Sequence, residues 1–208
     1  MSTKTDRTPK VRTPRDYKPT EHDYEQAPTA MVIGGKLVEF LAHPSEGMCC
    51  RAVFPVNKTT VLKVQVVDEG DWAGDQNRLE CEAWEMVKGT KRAKRFCRTW
   101  GYEEQEISFS YTSYYGEECE STIVLSWCFQ ERVDGESLGA ASGDDAVQAN
   151  EEYQRLGRWV ERRFKVSLGD WRGRQARFVK GDKGFWKVHD FAEMASDDAS
   201  YNYGNSSW

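Results

Sequence analysis

Apolar-rich runs over residues 31–33 and 36–41 read as strands either side of a Gly34-Gly35 turn. Residues 51–56 form another apolar-rich run and 61–67 an alternating one, either side of a turn at 57–60. Two such pairs of runs predict two antiparallel hairpins. In 61–67 the alternation sets Val61, Lys63 and Gln65 on one face and Leu62, Val64 and Val66 on the other, which places a cation on a half-buried strand. The period then lengthens. Asp75 is a predicted N-cap, residues 76–88 are strong helix formers and Gly89 is a stop. On that helix Asn77, Glu80, Trp84 and Val87 share the inward stripe, while Arg78, Glu82 and Glu85 face water. Residues 96–101 and 105–111 read as two short strands, and the near-continuous apolar run 121–129 as a central buried strand. Asp144 or Asp145 is expected to cap a helix reaching about Arg163, with Ala149, Tyr153, Leu156, Val160 and Phe164 on its buried stripe. Two further strands flank the Gly- and Asp-containing turn 180–184, a third hairpin.

Composition narrows the class. Apolar residues make up 38% and aromatics 12% of 208 residues, enough for a sizeable core in one domain or two small lobes. The net charge of −5 argues against a general nucleic-acid binder. No apolar run is long enough to span a bilayer and no apolar signal region opens the chain, so the reading is a soluble protein of the cytoplasm with no membrane partner. Cys49, Cys50, Cys81, Cys97, Cys119 and Cys128 show no Cys-x-x-Cys spacing and the histidines are isolated from them, so reduced thiols are expected. Residues 1–28 are poor in apolar side chains and rich in Thr, Pro and cations, with Lys4, Arg7, Lys10, Arg12, Arg15 and Lys18. They are expected to be a disordered basic leader.

The chemistry-bearing positions lie in order along this framework. The third hairpin carries Asp170 before its first strand and Asp190 as the second ends, which brings two carboxylates to the same end. One could orient a hydroxyl and the other hold Mg²⁺, which takes oxygen ligands and leaves room for phosphates. The order of these features resembles the protein-kinase and aminoglycoside-phosphotransferase superfamily: Lys63 on a strand, Glu80 on the next helix, a strand running into a Gly-containing linker at Glu131, then Asp170 and the Asp190-Phe191 pair. It is most similar to compact bacteriophage-encoded protein kinases or pseudokinases, because the chain continues past Asp190 only through Phe191 to Trp208.

The resemblance implies an α+β, bilobal protein-kinase-like fold. It has an antiparallel N-lobe sheet plus one helix over 29–131 and a truncated, mainly helical C-lobe over 132–194, followed by a polar tail over 195–208. It also implies ATP and Mg²⁺ as cofactors. Backbone groups of Gly47, Met48, Cys49 and Cys50 would cover the phosphates, Lys63 would reach them with Glu80 orienting it, and the linker at Glu131 would pair the adenine edge. Asp190 would bind Mg²⁺, with Gln175, where the family carries Asn, as a second ligand. Asp170 would orient the acceptor hydroxyl, and Arg172 stands where the family carries Lys near the transferred phosphate. Leu168 and Ala192 depart from the usual His and Gly. The activity so implied is phosphoryl transfer to Ser or Thr of a protein, in the cytoplasm of a bacterial host. The alternatives are a pseudokinase that binds and modulates a host protein, and, with less support, a small-molecule phosphotransferase.

Overall fold

The computed structural model describes residues 8–19, 28–40, 51–67, 74–169, 171–179 and 185–195. Among them the architecture is α+β, with antiparallel pairing in the strand registers and two α-helices. No described helix is long and apolar enough to cross a membrane. The chain divides into two compact units, Met1–Asn77 with Trp100–Phe129, and Arg78–Thr99 with Gln130–Trp208. The division falls inside a helix, so most of the helix assigned by sequence to the first lobe belongs to the second unit. Gly47, Met48, Cys49, Cys50, Asp170 and the 180–184 turn lie outside the described residues.

In the first unit, β1 (Val11–Arg12), β2 (Ala30–Ile33) and β3 (Lys36–Glu39) form one sheet. Gly34 and Gly35 both take positive φ, the mirror-image turn that a two-residue hairpin needs. The leader is thus not all free chain. Val11 and Arg12 pair with Ile33 and Val32, and Val11 and Tyr17 pack against the core, so a few apolar residues anchor an otherwise polar segment. A second sheet has the order β4 (Arg51–Asn57), β5 (Thr60–Val67), β7 (Glu118–Glu131), β6 (Thr99–Thr112). The last residues of β7 and the first of β6 belong to the second unit. Met31, Phe54, Leu62, Val64, Leu125 and Phe129 form the centre of the first core. Leu62, Val64 and Val66 face this core, and Val61, Lys63 and Gln65 on the opposite face of β5 are buried as well.

β6 is one strand of 14 residues, where two short strands were expected. Gly101 absorbs the irregularity with φ of +68°, and a Cβ there would stand 3.1 Å from the Phe129 ring. Glycine therefore serves close approach within the strand and does not end it.

In the second unit, α1 (Gln76–Val87) contributes all but its first two residues. α2 (Asp144–Phe164) follows the predicted stripe, with Ala149, Tyr153, Leu156 and Val160 buried. Its N-cap is Gly143, not an Asp; Asp144 and Asp145 occupy the first turn, where their charges oppose the positive end of the helix. β9 (Ala176–Val179) and β10 (Phe185–Val188) form the third hairpin, with Ala176 opposite Val188. The linker after β7 contributes an unexpected two-residue strand, β8 (Glu136–Ser137), paired with β9. Phe178, Trp186, Val188, Phe191, Tyr153 and Leu156 fill this core. Arg95 fastens its rim by stacking 4.4 Å from the centre of the Trp186 ring and pairing with Glu152 at 2.6 Å.

Candidate functional site

Lys63 occupies the middle of β5, opposite Val53, and is only 5% exposed. Two residues on, the same face carries Gln65, whose Nε2 donates to Gly74 O at 3.0 Å and whose Oε1 accepts from Gln76 N at 3.0 Å. The Lys63 face of β5 is therefore joined to the start of α1. Asp75 caps that helix as expected, its Oδ1 accepting from Asn77 N at 3.0 Å. The same carboxylate accepts from Ser126 Oγ at 2.8 Å and from the Tyr102 hydroxyl at 2.7 Å. Asn77 in turn donates to Ser126 O at 3.0 Å. Burial, and then the bonds to Asp75 and Glu104, push the Tyr102 phenol well above its usual range, so it remains a donor. A polar layer between strand and helix is costly unless satisfied, and here each member has partners.

In the second unit Glu80 is fully buried, in line with Ala83 and Val87. The helix phase read from sequence is correct. Gln130 Nε2 donates to Glu80 Oε2 at 3.1 Å and to Thr99 Oγ1 at 3.1 Å, which fixes the carboxylate from the end of β7. Sequence reasoning did not single out Gln130, although a signal existed. Ser126, Cys128 and Gln130 are the alternate, less apolar positions of β7. Glu131 is engaged within its own unit. Its N–H donates to Arg98 O at 2.8 Å, and both carboxylate oxygens accept from Lys187 Nζ at 2.6 Å.

The loop before β9 is braced by α2. Trp171 lies flat on Tyr153, with ring centres 4.8 Å apart, and its Nε1 donates to Tyr153 O at 3.2 Å. A Cβ on Gly157 would fall 2.6 Å from Trp171 Nε1, so the glycine in the middle of α2 makes room for that ring. The Tyr153 hydroxyl donates to Arg172 O at 2.8 Å. Gln175 closes the loop on itself: its Oε1 accepts from Arg172 N at 2.6 Å, and its N donates to Arg172 O at 2.9 Å. The Arg172 side chain is exposed.

Asp190 is half-buried, two residues beyond β10. His189 N donates to Gln175 O at 2.8 Å, which ties the chain just before Asp190 to the chain at Gln175. Phe191 anchors the other side, edge-on to Phe96 with centres 5.4 Å apart. The hairpin thus brings Gln175 and Asp190 to one end, while Asp170, the other carboxylate expected there, lies outside the described residues. Among the described residues no three His, Cys, Asp or Glu side chains converge as a metal site. Asp190 and the amide oxygen of Gln175 have the oxygen chemistry that Mg²⁺ requires. That amide oxygen is already engaged by Arg172 N, so ligation by Gln175 requires its side chain to turn out of the loop. Compared with known proteins, the chain matches no family model and no curated sequence.

Proposed function

We propose that this chain is a compact protein-kinase-like protein of bacteriophage type that transfers the γ-phosphoryl group of ATP, with Mg²⁺, to Ser or Thr of a protein. The observation that carries the reading is the burial of two opposite charges in the expected order: Lys63 on β5 and Glu80 on the inner stripe of α1. Strands and helices seldom bury such groups without a task, because each loses its hydration. In this reading Lys63 serves the phosphates, Glu80 orients it, Asp190 holds Mg²⁺, Asp170 orients the acceptor hydroxyl and the Arg172 side chain steadies the transferred group. Bound Mg²⁺ would supply charge neutralisation on the phosphates.

The second reading is a pseudokinase that works by binding a host protein. The bond from Arg172 N to Gln175 Oε1 favours it, because the loop uses the atom that would ligate a second metal. Incubation with γ-labelled ATP and bacterial lysate separates the two, using wild type, Lys63→Ala, Asp170→Asn and Asp190→Asn. The expected result is label incorporation by wild type that Asp190→Asn abolishes. No incorporation under any condition, or incorporation that persists in both Asp variants, would leave the binding reading in place.

A further inference from the structure

The β6–β7 hairpin changes character along its length. Its inner half contributes Ile123, Leu125, Trp127 and Phe129 to the first core, whereas no residue from Gln105 to Thr122 is buried. Over Gln105–Thr112 half-buried and exposed positions alternate, and Ser108 and Thr122 hydrogen bond across the outer face at 3.2 Å. This outer stretch of β6 is about 26 Å long at roughly 3.3 Å per residue. β6 ends its sheet, so among the described residues no strand lies beyond it. The tip is well formed: Ser113 N donates to Glu117 O at 2.8 Å, and Gly116 N donates to Ser113 O at 2.9 Å. On this turn Tyr114 and Tyr115 are 93% and 86% exposed, with ring centres 5.5 Å apart.

We infer that the outer half of this hairpin is a docking arm for a basic segment of a partner protein, which adds as a strand to the free edge of β6 and packs on the Tyr114–Tyr115 tip. An open edge supplies backbone hydrogen bonds, the usual source of affinity in strand addition. Exposed paired tyrosines are large, stiff contact surfaces of the kind that anchor interfaces. Charge selects the partner. Glu103, Glu104, Glu106, Glu117, Glu118 and Glu120 surround the arm, and no Lys, Arg or His occurs from Thr99 to Glu131. A basic strand is thereby attracted and an acidic one repelled. Carboxylates alone could serve to keep an edge from aggregating. That role gives no reason for two exposed aromatic rings at the tip.

The test uses the full chain without nucleotide, so its outcome is independent of any phosphotransfer activity. The probe is a peptide of about twelve residues alternating Lys and Thr, with an alternating Glu and Thr peptide as control. Binding is read by anisotropy, and backbone protection by hydrogen exchange. The expected result is binding of the basic peptide alone, slower exchange over residues 105–112, and affinity about tenfold weaker in Tyr114→Ala/Tyr115→Ala. A similar loss is expected in Glu106→Gln/Glu118→Gln/Glu120→Gln. These variants should retain the wild-type melting temperature, because none of the altered residues is buried. Failure to bind, equal binding of the acidic peptide, or binding that ignores the tyrosines and protects no β6 amides would overturn the proposal. Concentration-dependent dimerisation abolished by the tyrosine variant would also overturn it, in favour of a second copy as occupant.

Discussion

Glu80 and the loop at Trp171–Gln175 lie in the same unit and are held in place in different ways. Glu80 is fixed by the phase of a helix: its stripe is buried, and Gln130 reaches it with a single amide. The loop has no such repeat. It is held by a flat stack on Tyr153, a phenol bond to Arg172 O and the self-closure at Gln175. A position set by secondary structure tolerates changes elsewhere in the sequence as long as the period survives. A position set by individual contacts depends on each of them. Glu80 should therefore answer chiefly to changes at itself, and the loop to changes in α2.

The largest effect should come from Glu80→Ala. It leaves a buried cavity and one Gln130 N–H without its acceptor, a loss of about 3 kcal/mol in unfolding free energy. Chemical denaturation measures this directly, and Glu80→Gln should recover much of the loss if packing and the hydrogen bond dominate over charge. Gly157→Ala comes next and reverses the usual sign. Glycine to alanine inside a helix ordinarily stabilises by roughly 0.5–1 kcal/mol. Here the new methyl group would sit 2.6 Å from Trp171 Nε1. A net loss of about 2 kcal/mol is expected, read as a melting point lower by roughly 4–8 °C. A rise in melting temperature would show that the loop yields easily and that its brace is weak. The smallest effect belongs to Tyr153→Phe, which keeps the stack and removes the donor to Arg172 O, at about 1 kcal/mol. Faster hydrogen exchange at residues 171–175, with α2 unchanged, would separate loss of the brace from general destabilisation.

The patterned parts of the molecule were legible in advance. The Gly34–Gly35 hairpin, the Lys63 strand, the Asp75 cap and the β9–β10 hairpin follow from strand-like runs and from turn and cap chemistry. The inward phase of Glu80 follows from the helical repeat. The break expected between residues 101 and 105 misled because the strand runs on through it, with Gly101 at positive φ beside the Phe129 ring. The leader misled for a similar reason, since Val11 and Tyr17 suffice only when a preformed core lies beside them.

What the sequence by itself determined was periodicity: which residues lie on strands and helices, and which face of each element is apolar. Those properties arise from neighbours two, three or four positions away, so they are written locally. Tertiary structure alone decided that Gln130 holds Glu80, that Gly157 admits Trp171 and that Glu131 is taken by Lys187. The Trp171 and Glu131 contacts join residues 14 and 56 positions apart, and the Glu80–Gln130 pair is separated by 50. No local repeat encodes such meetings. They exist because burial leaves each donor and acceptor to find a partner in whatever packed element is nearest in space.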